Sequence, residues 1–249
     1  MFRYKLIIEY DGTNYCGWQY QEVLPTVQGC IERAVEKLCG SRQYVQCSGR
    51  TDAGVHALGQ LAHVDLPIKY DDHKVQGALN HYLKDEAIVI ISAQLTTPEF
   101  HARHNSVERG YKYIIANRQA PLALEDNRVW QVPYKLNVEA MQNAAKLLLG
   151  THDFTTFRDS ECQANSPIKT LDEITITQEG DKIYFFTRAK SFLHHQVRNM
   201  VGSLIMVGRN KWTIEDFKMA LDAKDRKRGG PTAPPYGLYF LYAKTKTQN

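Results

Sequence analysis

Ten consecutive residues, Ser48-Gly49-Arg50-Thr51-Asp52-Ala53-Gly54-Val55-His56-Ala57, constrain this chain more than any other stretch. A β-prone run, Tyr44 to Cys47, precedes them. An alternating run, Leu61-Ala62-His63-Val64-Asp65-Leu66, follows and reads as a strand. The two glycines permit a tight connection and a close approach of another backbone or a ligand. A loop held between strands presents its side chains firmly, and this one carries a permanent cation, Arg50, and a carboxylate, Asp52. Thr-Asp-Ala-Gly is also good turn chemistry, because Asp bonds its own backbone and Gly accepts positive φ. Taken alone, the stretch reads more readily as a turn than as a site.

Around it the chain alternates strand and helix signals. Arg3 to Tyr10 is a predicted strand, followed by a polar, aromatic loop from Asp11 to Gln19. Pro25-Thr26 opens a helix whose Val27, Ile31, Ala34, Val35 and Leu38 keep helical spacing, and Gly40 closes it. The strand near residues 60–66 stops at Pro67. A helix is expected from Asp72 to Leu83 and a buried strand over Ala87 to Ile91. Phe100 to His104 reads as a basic loop. Tyr111 to Ala116 reads as a strand with Tyr111, Tyr113 and Ile115 on one face.

The segment 117–135 is irregular. Asn137 caps a helix through Leu149, ended by Gly150, and Thr151 to Arg158 reads as a loop. Leu171 to Thr177 and Lys182 to Lys190 form a hairpin. His194 to Gly208 reads as a buried helix, with Val197, Val201, Leu204 and Ile205 inward and His194, His195, Arg198 and Gly202 sharing the other face. Thr213 caps a last helix, with Asp216 three residues on. A basic loop, Lys224 to Pro231, and a strand, Leu238 to Tyr242, finish the chain. The expected fold is α+β with largely antiparallel sheets, as two similar α/β subdomains over 1–105 and 106–249.

Composition narrows the function. At 249 residues, 43% hydrophobic and 23% charged, the chain can bury a substantial core. Its net charge of +4 suits a polyanionic partner, and fourteen tyrosines suit stacking on bases as well as core packing. Five scattered cysteines without CxxC spacing argue against a disulfide framework or structural zinc and fit a reducing compartment. No apolar leader and no membrane-length run is present, so a cytoplasmic protein is expected.

No metal is expected. His101, His104, His152-Asp153 and His194-His195 lack established ligand spacing, and there is no HExxH. Neither phosphate-binding glycine motif occurs in its required context, so no nucleotide cofactor is expected, and no Gly-x-Ser-x-Gly marks a hydrolase. What remains is a carboxylate among cations. An ionised carboxylate can act as a covalent nucleophile. A nearby guanidinium keeps it ionised, and Arg198 is a candidate. A strand tyrosine such as Tyr111 can stack on a flat ring, and the basic loops at 101–109 and 224–228 can take phosphates.

The ten-residue stretch resembles the signature of the TruA-type tRNA pseudouridine synthases. Further blocks in family order extend the resemblance over nearly the whole chain. They are Tyr10-Asp11-Gly12-Thr13 with Gly17-Trp18-Gln19, Phe100-His101-Ala102-Arg103, Arg109-Gly110-Tyr111-Lys112-Tyr113, Gly150 to Phe154 with Phe157-Arg158, Phe192 to Gly202, and Ala233 to Leu238. Gly110 stands where many members carry a larger residue, and His104 where Phe is usual. The resemblance implies isomerisation of uridine to pseudouridine at positions 38, 39 and 40 of the tRNA anticodon stem-loop, without cofactor or metal. It also implies a homodimer whose two α/β subdomains flank a basic catalytic cleft. By that resemblance Asp52 is the nucleophile and Arg198 its basic partner. Tyr111 contacts the target base, and Arg50 binds and flips the uridine. Two rival readings are a non-catalytic tRNA-binding chaperone and an N-glycosidase that releases free uracil.

Overall fold

The computed structural model describes residues 1–246. They form an α+β fold of five α-helices and ten strands. The described residues separate into two compact units, one comprising residues 1–109 together with 239–246, the other residues 110–238.

In the first unit the sheet order is β4-β1-β3-β10, where β1 is Phe2–Tyr10, β3 is His56–Leu66, β4 is Ile88–Thr96 and β10 is Leu238–Thr245. A two-residue strand β2, Gln46–Cys47, also pairs with β3. β1 is antiparallel to both neighbours, with Leu6 opposite Ala62 and Ala93. Its period-two pattern sends Tyr4, Leu6, Ile8 and Tyr10 into the core. Each fully buried Leu or Ile stabilises the fold by roughly 1.5–3 kcal/mol relative to exposure. β3 begins at His56, four residues before the expected start, because Tyr239 and Phe240 of β10 pair in parallel with His56 and Ala57.

The first helix, α1 (Val27–Cys39), follows its sequence signals at both ends. Thr26 accepts a hydrogen bond from Gly29 N–H at the start, and Gly40 ends the helix at φ 77°. α2 (Asp72–Tyr82) buries only Val75 and Leu79, and its polar side chains account for the rest of its docking. Asn80 exchanges hydrogen bonds with the Ile90 backbone at 2.7 and 3.0 Å. Gln76 donates to Ile91 O at 2.6 Å, and Asp72 accepts from Leu95 N–H at 2.8 Å. β4 is the edge strand, so these side chains satisfy backbone groups that no further strand pairs. The expectation of a buried strand here is corrected. Ile88 and Ile90 are buried while Val89 and Ile91 are exposed, as an antiparallel edge with one solvated face requires.

The second unit has the order β5-β9-β8-β7, where β5 is Ser106–Ala116 (in this unit from Gly110 on), β7 Gly150–Asp153, β8 Ile168–Glu179 and β9 Lys182–Ala189. The hairpin β8–β9 turns at Gly180, φ 59°, as expected from its sequence. β7 corrects the reading of 151–158 as loop throughout, since Gly150–Asp153 pairs antiparallel with 168–171. A short strand β6, Trp130–Gln131, interrupts the irregular 117–135 segment by pairing with β5. α3 (Val138–Ala145) is capped by Asn137 and tightens into a 3₁₀ turn before Gly150.

α4 (Gln196–Gly208) starts two residues later than expected. His195 sits at its entry in the left-handed region, φ 59°, so His194 and His195 do not share a helical face with Arg198. All α4 residues except Arg198 and Met206 are buried, which makes it a helix apolar or packed all round. α5 (Ile214–Asp222) carries the expected capping box between Thr213 and Asp216. No helix among the described residues is long and apolar enough to cross a membrane.

Candidate active site

The stretch Ser48–Val55 connects β2 to β3, and hydrogen bonds hold its backbone on both sides of Asp52. Ser48 N–H donates to Leu61 O at 2.7 Å. Gln60 Nε2 donates to Gly49 O at 2.8 Å. The Arg109 guanidinium, 8% exposed, donates to Ser48 O at 2.7 Å and to Arg103 O at 3.2 Å. Asp52 begins a turn closed by Val55 N–H to Asp52 O at 3.2 Å, and Gly54 takes the left-handed φ of 75° that the turn needs. The Asp52 side chain is half-buried, and Arg50 is exposed.

The loop from Asp11 to Trp18 clamps this turn from outside. Trp18 N–H donates to Thr51 O at 3.0 Å, and Gly54 N–H donates to Tyr15 O at 3.3 Å. The hydroxyls of Tyr10 and Thr51 are 2.7 Å apart. Gly12 N–H donates to His56 Nδ1 at 3.0 Å, and the His56 ring stacks on Tyr239 at 4.8 Å. Gly12 and Gly17 are glycine because the two loops touch. A Cβ on Gly12 would stand 2.1 Å from Val55 O, and one on Gly17, which has φ 86°, 2.7 Å from Thr51 O. The clamp is anchored in turn by Tyr15, whose hydroxyl donates to Glu86 at 2.8 Å and accepts from Ala87 N–H at 3.1 Å. Burial, and then the Glu86 carboxylate, push the Tyr15 phenol well above its usual range, so it stays protonated as the donor.

Tyr111 and Arg198 belong to the second unit. Tyr111 is 9% exposed on β5, with its ring edge-on to Phe192 at 5.0 Å and 85°. Tyr113, two residues on, shares that face as expected and donates to Pro234 O at 2.8 Å. Arg198 is half-buried on α4, where its Nε donates to Ala233 O at 2.8 Å and its own carbonyl accepts from Ala233 N–H at 3.1 Å. Gly202 is the floor of this packing, because a Cβ there would lie 1.7 Å from Pro231 O. Ahead of α4, His195 Nδ1 is 2.6 Å from Asp159 Oδ2. Burial alone would raise the Asp159 carboxyl, but the Glu161 N–H bond and the His195 partner outweigh it and hold it below the usual range.

Two basic positions expected to meet phosphates are instead spent inside the protein. Arg109 holds the Ser48 carbonyl. Arg226 donates to Gly230 O at 3.0 Å and to Asn199 Oδ1 and Thr232 Oγ1 at 3.1 Å. Arg103, Lys227 and Arg228 remain exposed. A guanidinium has five donors in a rigid fork, so it serves a cluster of carbonyls as well as it serves an anion.

The family model described as tRNA pseudouridine synthase matches residues 6–105 and 144–244. The chain belongs to this family. The tRNA pseudouridine synthase A of Paramagnetospirillum magneticum is 54% identical over 238 residues, covering 96% of this chain and 93% of the relative. That of Afipia carboxidovorans is 54% identical over 241 residues, covering 97% and 98%. That of Rhodospirillum rubrum is 53% identical over 241 residues, covering 97% and 87%. The pseudouridine synthase match includes Arg50, Asp52 and Arg198, whereas Tyr111 lies in the stretch between the two matched regions. Thr51, Tyr10 and Arg109 escaped the sequence reading as supports of the Asp52 turn. Of the three, Thr51 had a signal in Gly17, whose Cβ would strike the Thr51 carbonyl, and Arg109 one in Gly49, which packs against its side chain.

Proposed function

We propose that this protein isomerises uridine to pseudouridine in the anticodon stem-loop of tRNA, at positions 38, 39 and 40, with Asp52 as nucleophile. One observation carries the reading. In a chain of the tRNA pseudouridine synthase family, Asp52 is a half-buried carboxylate on a turn whose flanking peptides are fixed by four backbone–backbone hydrogen bonds, two of them to a clamp loop, and by side-chain bonds from Gln60 and Arg109. Rigid presentation of a carboxylate is what covalent attack needs.

The target nucleotide is flipped from the stem, at a cost of a few kcal/mol. A carboxylate oxygen of Asp52 bonds to C1′ of the ribose or to the uracil ring, and the N1–C1′ bond breaks. The uracil turns in place, C5 bonds to C1′, the bond to the Asp52 oxygen breaks and restores the free carboxylate, and the proton on C5 leaves as one is gained at N1. Composition and oxidation state are unchanged, so no co-substrate or redox equivalent is consumed. Tyr111 supplies a ring face or edge to the base, with stacking worth about 1–3 kcal/mol. Arg198 is the cation assigned to Asp52, and exposed Arg50 is assigned to drawing out the uridine. The exposed cations Arg103, Lys227 and Arg228 are assigned to the phosphate backbone. The enzyme works as a homodimer in the cytoplasm.

Release of tritium from tRNA labelled at uridine C5 tests this reading. Release with pseudouridine as product supports it. Binding without release would favour an RNA chaperone, and free uracil would favour an N-glycosidase. Tyr111→Phe is expected to lose less activity than Tyr111→Ala, and equal losses would assign the role to the hydroxyl instead of the ring.

A further inference from the structure

We infer that Tyr10 and Thr51 form a positioning pair that aims Asp52, a role that rests on Asp52 being the nucleophile. Thr51 immediately precedes Asp52. Its hydroxyl lies 2.7 Å from that of Tyr10, and the two residues are only 7% and 3% exposed. The Thr51 carbonyl is held separately by Trp18 N–H at 3.0 Å. The peptide entering Asp52 is therefore fixed by a side chain and a carbonyl at once. On the far side, Gly54 N–H to Tyr15 O and Val55 N–H to Asp52 O fix the peptide leaving it.

The supports differ in what they are tied to. Tyr15 and Trp18 sit in the clamp loop. Tyr10 is the last residue of β1 and pairs with Ala57 of β3, so its phenol is carried by the sheet. Its ring also packs against Trp18 at 6.1 Å. The Tyr10–Thr51 bond thus ties the loop directly to a rigid element, and a site built on a strand holds tighter tolerances than one built on a loop.

The choice of residues points the same way. The turn itself closes through Val55 N–H and Asp52 O and needs no hydroxyl at position 51. Two buried hydroxyls bonded to each other add little net stability, and apolar groups of the same shape can replace both at small cost. Val at 51 and Phe at 10 would fill the same space. What that substitution would lose is the direction of the bond, which sets the rotation of the Thr51 peptide and hence the aim of the Asp52 carboxylate.

The test is turnover of tRNA by Thr51→Val, Tyr10→Phe, the double variant and Thr51→Ser, with thermal unfolding of each. Either single substitution is expected to lower kcat about tenfold or more, approaching the ~100-fold that a 1 Å misplacement costs. KM for tRNA should stay within about twofold. The double variant should be no slower than the slower single, because both remove one bond, and its Tm should match the native protein. Thr51→Ser, which keeps the hydroxyl, should recover most of the lost rate. Native kcat in either single variant, a loss confined to KM, no recovery with serine, or rates that track Tm across the set would each overturn the pair. Asp52→Asn measured alongside separates the two levels. Substantial product from it overturns the nucleophile and the pair together, whereas an inactive Asp52→Asn beside a fully active Thr51→Val overturns the pair alone.

Discussion

Acid should destabilise this protein through one buried imidazole. His63 is 4% exposed on β3. Its Nδ1 accepts a hydrogen bond from Ala102 N–H at 3.2 Å, and its ring meets Phe100 edge-on and His101 at 4.8 Å. Burial first, then the Arg3 and His101 charges, push its pKa down to about 4, against weaker support from Asp65 and the Gln46 backbone. A proton on Nδ1 would also set an N–H against the Ala102 N–H. In the unfolded chain the imidazole titrates near 6.5. Between about pH 6.5 and about pH 4 the unfolded state therefore binds a proton that the native state refuses, and stability falls as pH falls. The full difference of about 2.5 pH units corresponds to about 3 kcal/mol, with roughly 1.4 kcal/mol already lost at about pH 5.5. His101, lowered chiefly by burial and then by His104, adds a contribution of the same sign. Asp65, held low mainly by its hydrogen bonds from Arg3, acts mostly below this window. The assay is urea unfolding at intervals from about pH 7.5 to about pH 4.5 for the native protein and His63→Asn. The asparagine oxygen can accept from Ala102 where Nδ1 did and does not titrate. The native curve should fall away from the variant's by up to about 3 kcal/mol. Parallel curves would show that His63 does not carry the acid sensitivity.

Three substitutions test the packing around the site. Gly202→Ala should lower stability by about 3 kcal/mol or more, seen as a fall in Tm, because its Cβ would stand 1.7 Å from Pro231 O and neither backbone can yield. Arg109→Met keeps the apolar stem but leaves the buried Ser48 carbonyl unsatisfied, so it should cost about 1–3 kcal/mol in denaturant unfolding and slow turnover as the Asp52 loop loosens. Thr213→Ala removes half of the α5 capping box and should cost about 1 kcal/mol in thermal unfolding while leaving the rate unchanged.

Helix ends and the β8–β9 hairpin were legible because their signals are local. Thr26 and Gly40, Asn137, Thr213 with Asp216, and Gly180 each dictate the backbone within a few residues. Pairing is not local, and there the sequence ran out. Nothing in Gly150–Asp153 announces its partner in β8, and nothing in His56-Ala57 announces Tyr239-Phe240. The face assigned to His194 and His195 failed because His195 adopts a left-handed conformation, which ends helical periodicity just where the pattern seemed to continue. Helical spacing cannot reveal a single positive φ. Arg109 and Arg226 looked like phosphate ligands because charge in a sequence carries no record of burial.

The role of Asp52 is tested most directly by single-turnover pseudouridine formation with Asp52→Asn at saturating tRNA. The amide keeps the shape of the carboxylate and cannot act as the nucleophile. The variant should bind tRNA at native affinity and form no pseudouridine on the timescale of many native turnovers. Product formed at a rate approaching that of the native enzyme would contradict that role.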